Sequence, residues 1–388
     1  MHAFDHSSRG CRSRVEFTLK GTVKAAGESI VKFVQWNSAT WWGGAEVRTV
    51  ELCEELRRRG YEVRVVARCP SRLWRTLKER GFLVDGDAPR QGANLLRAIL
   101  IGLRLRQWGT DLLIAHIGRD YVPALFAGKV AGCSVVLYRH RSLPLKPITR
   151  WLVRRWARAI LAVSTKVAEI LLHEDGLPSE KVHVVHLGVD VRKLTGKIAS
   201  AEKIQRLRTD LGAERSQLVL SVGHLYPKKG HATLLLALHR LRRQGEKIVA
   251  AIAGEGPDQA RLERLIRDLG LQGQVHLLGY REDIPLLLQA CDCFVLLSEE
   301  DAFPGAIIEA MVVGKPIVAC GVGGVPELLA DYPLAKLVPP RDEEAAARAI
   351  LEMLTRKDCP IVPFRGWDIA ETVNRLETLC RQWFSLGR

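Results

Sequence analysis

No apolar run in the 388-residue chain approaches the ~20 residues that span a bilayer, which excludes a membrane-crossing helix. The first 28 residues, Met1 to Glu28, are polar and mixed and lack the apolar core of a secretory leader, so cytoplasmic residence is expected. Cysteine is thinly spread, with nine residues at positions 11, 53, 69, 133, 291, 293, 320, 359 and 380. Cys291 and Cys293 have no second close pair to complete a zinc site, and cysteines inside apolar runs act as small hydrophobes. The dinucleotide fingerprint Gly-x-Gly-x-x-Gly is also missing: after Gly254-x-Gly256 and Gly321-x-Gly323 the third position holds Gln259 and Pro326. A nicotinamide-dependent dehydrogenase is thereby excluded.

Acid is scarce in the first half. Arg139, Arg141, Lys146, Arg150, Arg154, Arg155 and Arg158 have no carboxylate among them, and the chain carries a net charge of +15. Such a surface attracts polyanions, whether nucleic acid, anionic lipid headgroups or phosphorylated glycolipid. A solvated basic face or an arginine-rich codon bias gives the same composition. An aromatic-rich basic motif of the common DNA- or RNA-binding modules is absent, so a basic nucleic-acid-binding protein is the alternative reading and nucleic acid is not the expected partner.

What is present is a globular composition, 47% apolar and 26% charged, over a length that suits two domains. Short apolar runs near Val31–Gln35, Val63–Ala67, Asp111–His116, Ser134–Arg139, Ile160–Val163 and Val182–Leu187 alternate with helical patterns. Between Asp190 and Gln217 the pattern turns charged. A second series follows at Leu218–Val222, Ile248–Ala253, Val275–Leu278, Phe294–Leu297 and Ile317–Ala319. This alternation predicts an α/β chain of two doubly wound parallel sheets. The tail sets Ile369, Val373, Leu376, Cys380, Trp383 and Phe384 at three- and four-residue spacing, an amphipathic helix.

The stretch Ser298-Glu299-Glu300-Asp301-Ala302-Phe303-Pro304-Gly305 closes the apolar run Cys293–Leu297 with a cluster of acids. Pro304 and Gly305 then open a buried-type helix, Ala306 to Val313, with Glu309 one turn in. Carboxylates at a strand's carboxyl end, beside unpaired helix N–H groups, make a place for a diphosphate and for sugar hydroxyls. A plain acidic loop before a core helix has the same letters.

With Asp301 and Glu309 eight positions apart around Phe303-Pro304, the chain resembles the family 4 glycosyltransferases, retaining enzymes of GT-B fold marked by two glutamates at that spacing. The resemblance runs from about residue 31 to 384. It implies two Rossmann-like domains facing across a cleft, with a C-terminal helix returning to the N-terminal domain. The expected divisions are an extension over 1–28, an acceptor domain over 29–192, a donor domain over 193–365 and the returning helix over 366–388. It further implies that Glu309 holds the nucleotide ribose and that Asp301, where glutamate is usual, contacts the donor sugar. Glu300 next door is positioned to compensate for the shorter side chain.

Other landmarks follow in the family's order. Ser221-Val222-Gly223-His224-Leu225-Tyr226-Pro227-Lys228-Lys229-Gly230 resembles the loop that meets the diphosphate, with Lys229 at the lysine and His224 in the usual arginine's place. A lysine there is a point charge that neutralises a departing diphosphate, whereas a neutral imidazole offers one donor in place of a guanidinium fork. Trp41-Trp42-Gly43-Gly44-Ala45-Glu46 resembles the glycine loop that closes over the reaction centre. It also reads as a tight turn with Glu46 serving the helix start, and the tryptophans as acceptor contacts or packing. His140, after the strand Ser134–Arg139, stands where the family has a histidine touching the transferred sugar, and His116 is a weaker acceptor-side candidate. His186-Leu187-Gly188-Val189-Asp190, Gly254-Glu255-Gly256-Pro257, Gly279-Tyr280 and Gly321-Val322-Gly323-Gly324-Val325-Pro326-Glu327 match coarser landmarks, the last bordering the nucleotide.

The resemblance therefore implies transfer of a sugar from a nucleotide-diphosphate donor to a glycan or glycolipid acceptor in polysaccharide or lipopolysaccharide synthesis, with no cofactor and no essential metal. Asp301, His140 and Lys229 form the expected catalytic set. Gly43, Gly44, His224, Glu300, Phe303, Pro304, Gly305 and Glu309 are expected, with Lys229, to hold the donor. Asp85-Gly86-Asp87 has the letters of a metal-dependent transferase but falls in a glycine-containing turn. The basic first half predicts peripheral contact with the inner face of an anionic membrane.

Overall fold

The structure, a computed structural model, describes residues 31–89, 94–196, 198–356, 364 and 366–385. The expected extension over 1–28 lies outside the described residues. Thirteen strands among the described residues form two wholly parallel sheets. The first contains β1 (Lys32–Asn37), β2 (Glu62–Ala67), β3 (Leu83–Asp85), β4 (Leu112–Ala115), β5 (Ser134–Arg139), β6 (Ala159–Ala162) and β7 (Val182–Val184), in the order β3-β2-β1-β4-β5-β6-β7. The second contains β8 (Gln217–Val222), β9 (Ile248–Ala253), β10 (Val275–Leu277), β11 (Cys293–Leu296), β12 (Ile317–Cys320) and β13 (Ala335–Val338), in the order β10-β9-β8-β11-β12-β13. Each order reverses once, between β1 and β4 and between β8 and β11. Ligands of open α/β sheets bind at such reversals, beyond the carboxyl ends of the strands.

Central strands are buried on both faces and so read as unbroken apolar runs: every residue of β9, Ile-Val-Ala-Ala-Ile-Ala, is buried. The two strands missing from the sequence reading, β3 and β13, are edge strands with exposed residues such as Leu83 and Leu337, and half-wet strands of this length give no run to detect. The helices of the first lobe used below are α1 (Gly44–Arg58), α2 (Arg72–Glu79), α3 (Leu95–Trp108), α4 (Tyr121–Ala131) and α5 (Pro147–Trp156).

The C-terminal helix Ile369–Ser385 does return to the first lobe. Ile369, Val373, Leu376, Leu379 and Cys380 join the core built on β1, β4, β5 and β6. The crossing point is fixed by backbone pairing: Val189 N–H donates to the Trp367 carbonyl at 2.9 Å and Ile369 N–H to the Val189 carbonyl at 2.8 Å. With two passages of the chain side by side here, the lobes meet at a double connection.

Helix α1 buries charge as well as apolar residues. Val50, Cys53 and Leu56 are buried, and so are Glu46, Arg48, Glu51 and Glu55 on its other faces. The C-terminal helix and the second lobe cover that charged side. Glu55 accepts from Arg58 at 2.6 Å, Arg59 at 2.9 Å and Arg192 at 3.0 Å, and these cations hold its carboxyl down to about 2.

Candidate functional site

Loops from both sheet reversals converge. Beyond β8, residues Pro227–Lys229 form a short turn and Gly230 takes φ +70°, a left-handed conformation. A side chain at Gly230 would place Cβ 1.8 Å from the Leu297 carbonyl, so only glycine lets this loop lie against the end of β11. The acidic rim is thereby brought against the lysines. Lys229 Nζ donates to Asp301 at 2.5 Å, Lys228 Nζ to Glu300 at 2.7 Å, and the Glu299 N–H to the Lys228 carbonyl at 2.8 Å. Glu300 and Asp301 each have their own lysine, and the Glu299 carboxylate pairs with Arg341 at 2.5 Å. Glu300, expected to compensate for the shorter Asp301, lies beside it and is paired with Lys228.

Pro304 sits just ahead of the helix Gly305–Val312 rather than in its first turn, and this N-terminus has no side-chain cap. Phe303 is wedged between the lobes: its ring lies 5.0 Å from His186 and 5.3 Å from Trp367, and it packs against the cores of both lobes. Glu309, on the same helix, pairs across the cleft with Arg48 of α1. Arg48 also holds Glu51 at 2.6 Å, and burial pushes the Glu309 carboxyl up while the guanidinium beside it pulls it back. Arg48 escaped the sequence reading because it lies on the charged side of an amphipathic helix, where solvent is the ordinary neighbour. The one available signal was its spacing from Glu51, three residues on.

The glycine loop reaches the opposite lobe. Gly43 has an extended φ of −158°, which any residue adopts, yet a Cβ there would lie 2.1 Å from His224 Nε2. Gly44 has open space around it and begins α1. His224 sits edge-on to Tyr226, with Nδ1 3.3 Å from the Glu255 carbonyl. Glu46 accepts the Gly43 N–H at 3.0 Å, serving the helix start, and burial raises its carboxyl to about 7. Trp42 Nε1 donates to the Tyr280 hydroxyl at 3.1 Å. Arg72 lies over the Tyr280 ring at 3.8 Å and pairs with Glu282 at 2.7 Å. Trp42 thus links the two lobes.

His140 follows β5 and is half-buried, its ring 4.8 Å from Tyr138 and stacked at 5.7 Å on His116. Burial lowers it to about 4, so it is neutral near pH 7, and its Nε2 has no partner. His116 is fully buried and bonded through Nε2 to Gln35 at 2.7 Å. Glu327 accepts from the Thr165 N–H and hydroxyl, both at 2.8 Å, and meets His186 at 2.6 Å. The Gly324 N–H donates to the Asp301 carbonyl at 3.2 Å, so this last landmark loop adjoins the acidic rim. Asp85 and Asp87 are each 3.0 Å from Arg104, which gives the Asp-Gly-Asp letters a structural role; Asp85 ends β3 rather than lying in a turn.

The family model for Glycosyl transferases group 1 matches residues 203–360, and that for Glycosyltransferase Family 4 matches residues 42–193. The putative colanic acid biosynthesis glycosyltransferase WcaL of Salmonella typhimurium is 30% identical over 71% of this chain and 69% of its own length. The 2-deoxystreptamine glucosyltransferase of Streptomyces kanamyceticus is 27% identical over 64% of this chain and 69% of its own. Among solved structures, Alr3699/HepE of Anabaena in complex with UDP and glucose has a TM-score of 0.78, covering 90% of this chain and 99% of that one at 24% identity.

Proposed function

The chain belongs to the family 4, group 1 glycosyltransferases and has their GT-B fold, and from that premise we propose that it moves a sugar from a nucleotide-diphosphate donor to an acceptor hydroxyl with retained configuration. The observation that carries this reading is the meeting of Lys229, Asp301 and Glu309 at one sheet reversal with Gly43 at the other. The HepE complex with UDP and glucose supports a nucleotide sugar as donor.

Positioning and charge stabilisation do the work. The bond from the sugar's anomeric carbon to the phosphate oxygen breaks, with its electron pair leaving on the diphosphate. Lys229, His224 and the uncapped N–H groups from Gly305 stabilise that charge, a task that then needs no divalent cation. Lys229 is paired with Asp301, and a diphosphate at this loop shares or displaces that pair. Glu309, oriented by Arg48, accepts the ribose hydroxyls. Asp301 and neutral His140 orient the sugar, and Gly43, lacking a Cβ, lets the glycine loop lie against His224. The acceptor hydroxyl attacks from the face the phosphate leaves, and its proton passes to a phosphate oxygen. Phe303 and Pro304 fix the loop, and Glu300 anchors it through Lys228.

The acceptor is a glycan or glycolipid of a polysaccharide or lipopolysaccharide pathway, and the relationship to WcaL supports an exopolysaccharide. Thermal shift with UDP-, GDP-, ADP- and CDP-linked sugars tests the donor, since a ligand of the native state raises its melting point. One donor is expected to shift it, and the product's anomeric configuration is expected to match that donor. The absence of any shift, or an inverted product, overturns the reading.

A further inference from the structure

Helices α3, α4 and α5 form one layer on the first sheet, and none of the three contains an acidic residue. A surface helix ordinarily turns charge outward. Helix α3 instead buries Ala98, Ile101 and Leu105 on α4 and turns Leu96, Leu100 and Leu103 to the outside, Leu96 being 76% exposed. On α5, Leu152 and Val153 point inward while Ile148 and Trp151 are both 57% exposed. The Trp151 ring is backed by Trp156 at 6.4 Å, which meets Phe126 of α4 edge-on at 4.8 Å. Exposed Arg97, Arg106, Lys146 and Arg155 flank these apolar groups. Each helix follows the carboxyl end of its strand, so the first turns of α3 and α5 lie on the side of the sheet that carries His116 and His140.

We propose that this layer is a docking face for an anionic lipid bilayer, inserting Leu96, Leu100, Ile148 and Trp151 among the headgroups while the flanking cations meet lipid phosphate. An apolar ridge needs cover, and the charge around it selects the partner. A second copy of this chain packed about a two-fold would set arginine against arginine. An anionic membrane complements both the apolar and the basic part, as it does for an interfacial helix. The proposal deepens the glycolipid-acceptor reading by placing the cleft side against the membrane, and it is readable without turnover.

The test is co-sedimentation of the full chain with vesicles of phosphatidylcholine alone and of an equal mixture with phosphatidylglycerol. Binding is expected only to the mixed vesicles, and weaker at high salt. Leu96→Ser, Leu100→Ser and Trp151→Ala are each expected to lower the partition about tenfold. An unchanged melting point separates lost docking from misfolding. An unchanged thermal shift with donor separates it from failure of the donor site, and a chain that docks but binds no donor still supports this face. Full vesicle binding by the triple variant overturns the proposal. So does a wild-type chain that ignores both vesicles and sediments as a dimer which the serine variants dissociate.

Discussion

The two lobes share one architecture, yet their outer layers and loop charges differ. In the first lobe α3, α4 and α5 carry no acid and leave leucine and tryptophan in solvent. In the second, the helix Gln259–Asp268 mixes acids with bases and the helix Glu343–Thr355 opens on two glutamates. At the cleft the contrast turns over: the second lobe supplies Lys228, Lys229 and the acids they hold, while the first supplies a glycine turn, two neutral histidines and Arg48, which pairs with Glu309. The sheet core fixes the scaffold, and the charge laid on its surfaces is free to follow the partner of each side.

That division of labour breaks most directly at Lys229. Lys229→Ala is expected to cut turnover about 100- to 1,000-fold with folding intact, as removal of a charge-stabilising donor does. His140→Ala from the first lobe is expected to cost less, and initial rates showing equal losses would remove the asymmetry. Arg48→Met leaves Glu309 buried without its cation and Glu51 with Lys193 alone at 3.6 Å, so denaturant titration should show a loss of about 3 kcal/mol. Adding Glu309→Gln is expected to recover part of it. Unchanged stability would mean that the two lobes are not tied at this point.

Gly43→Ala sharpens the comparison sterically. Its backbone accepts alanine, so the whole effect arises from overlap with His224, and turnover is expected to fall about tenfold. A double-mutant cycle with His224→Ala should return much of that loss, and strictly additive losses would contradict the contact.

The comparison can also be sharpened through the pH dependence of stability. His140 is lowered from 6.5 to about 4, so below pH 6.5 the unfolded chain binds a proton that the folded chain refuses, and stability falls as pH drops from 6.5 to 4. Glu46 is raised from 4.5 to about 7, so its protonated form is favoured in the fold and stability falls as pH rises from 4.5 to 7. His140→Gln should flatten the acid side of the melting-point profile and Glu46→Gln the side toward neutrality.

Both sheets were legible in the sequence because buried parallel strands are continuous apolar runs, and the returning helix because its apolar residues repeat every three or four positions. The cleft loops were legible as segments, since glycine, lysine and acid clusters at strand ends are local features. Their partners were not. Glu300 was expected to assist Asp301 and is held by Lys228; Trp42 was left between acceptor contact and packing and bonds to Tyr280.

By itself the sequence determined two α/β lobes, the Asp301 to Glu309 spacing, the Lys229 loop and a basic first half. Only the tertiary structure decided that Arg48 meets Glu309, 261 positions away, and that Gly43 leaves no space before His224. The same holds for the buried charged side of α1 and for the leucines of α3 that find no cover. Propensity and periodicity act over a few residues, whereas which charges lose their water and which apolar faces keep theirs depends on surfaces that meet only after both lobes have formed.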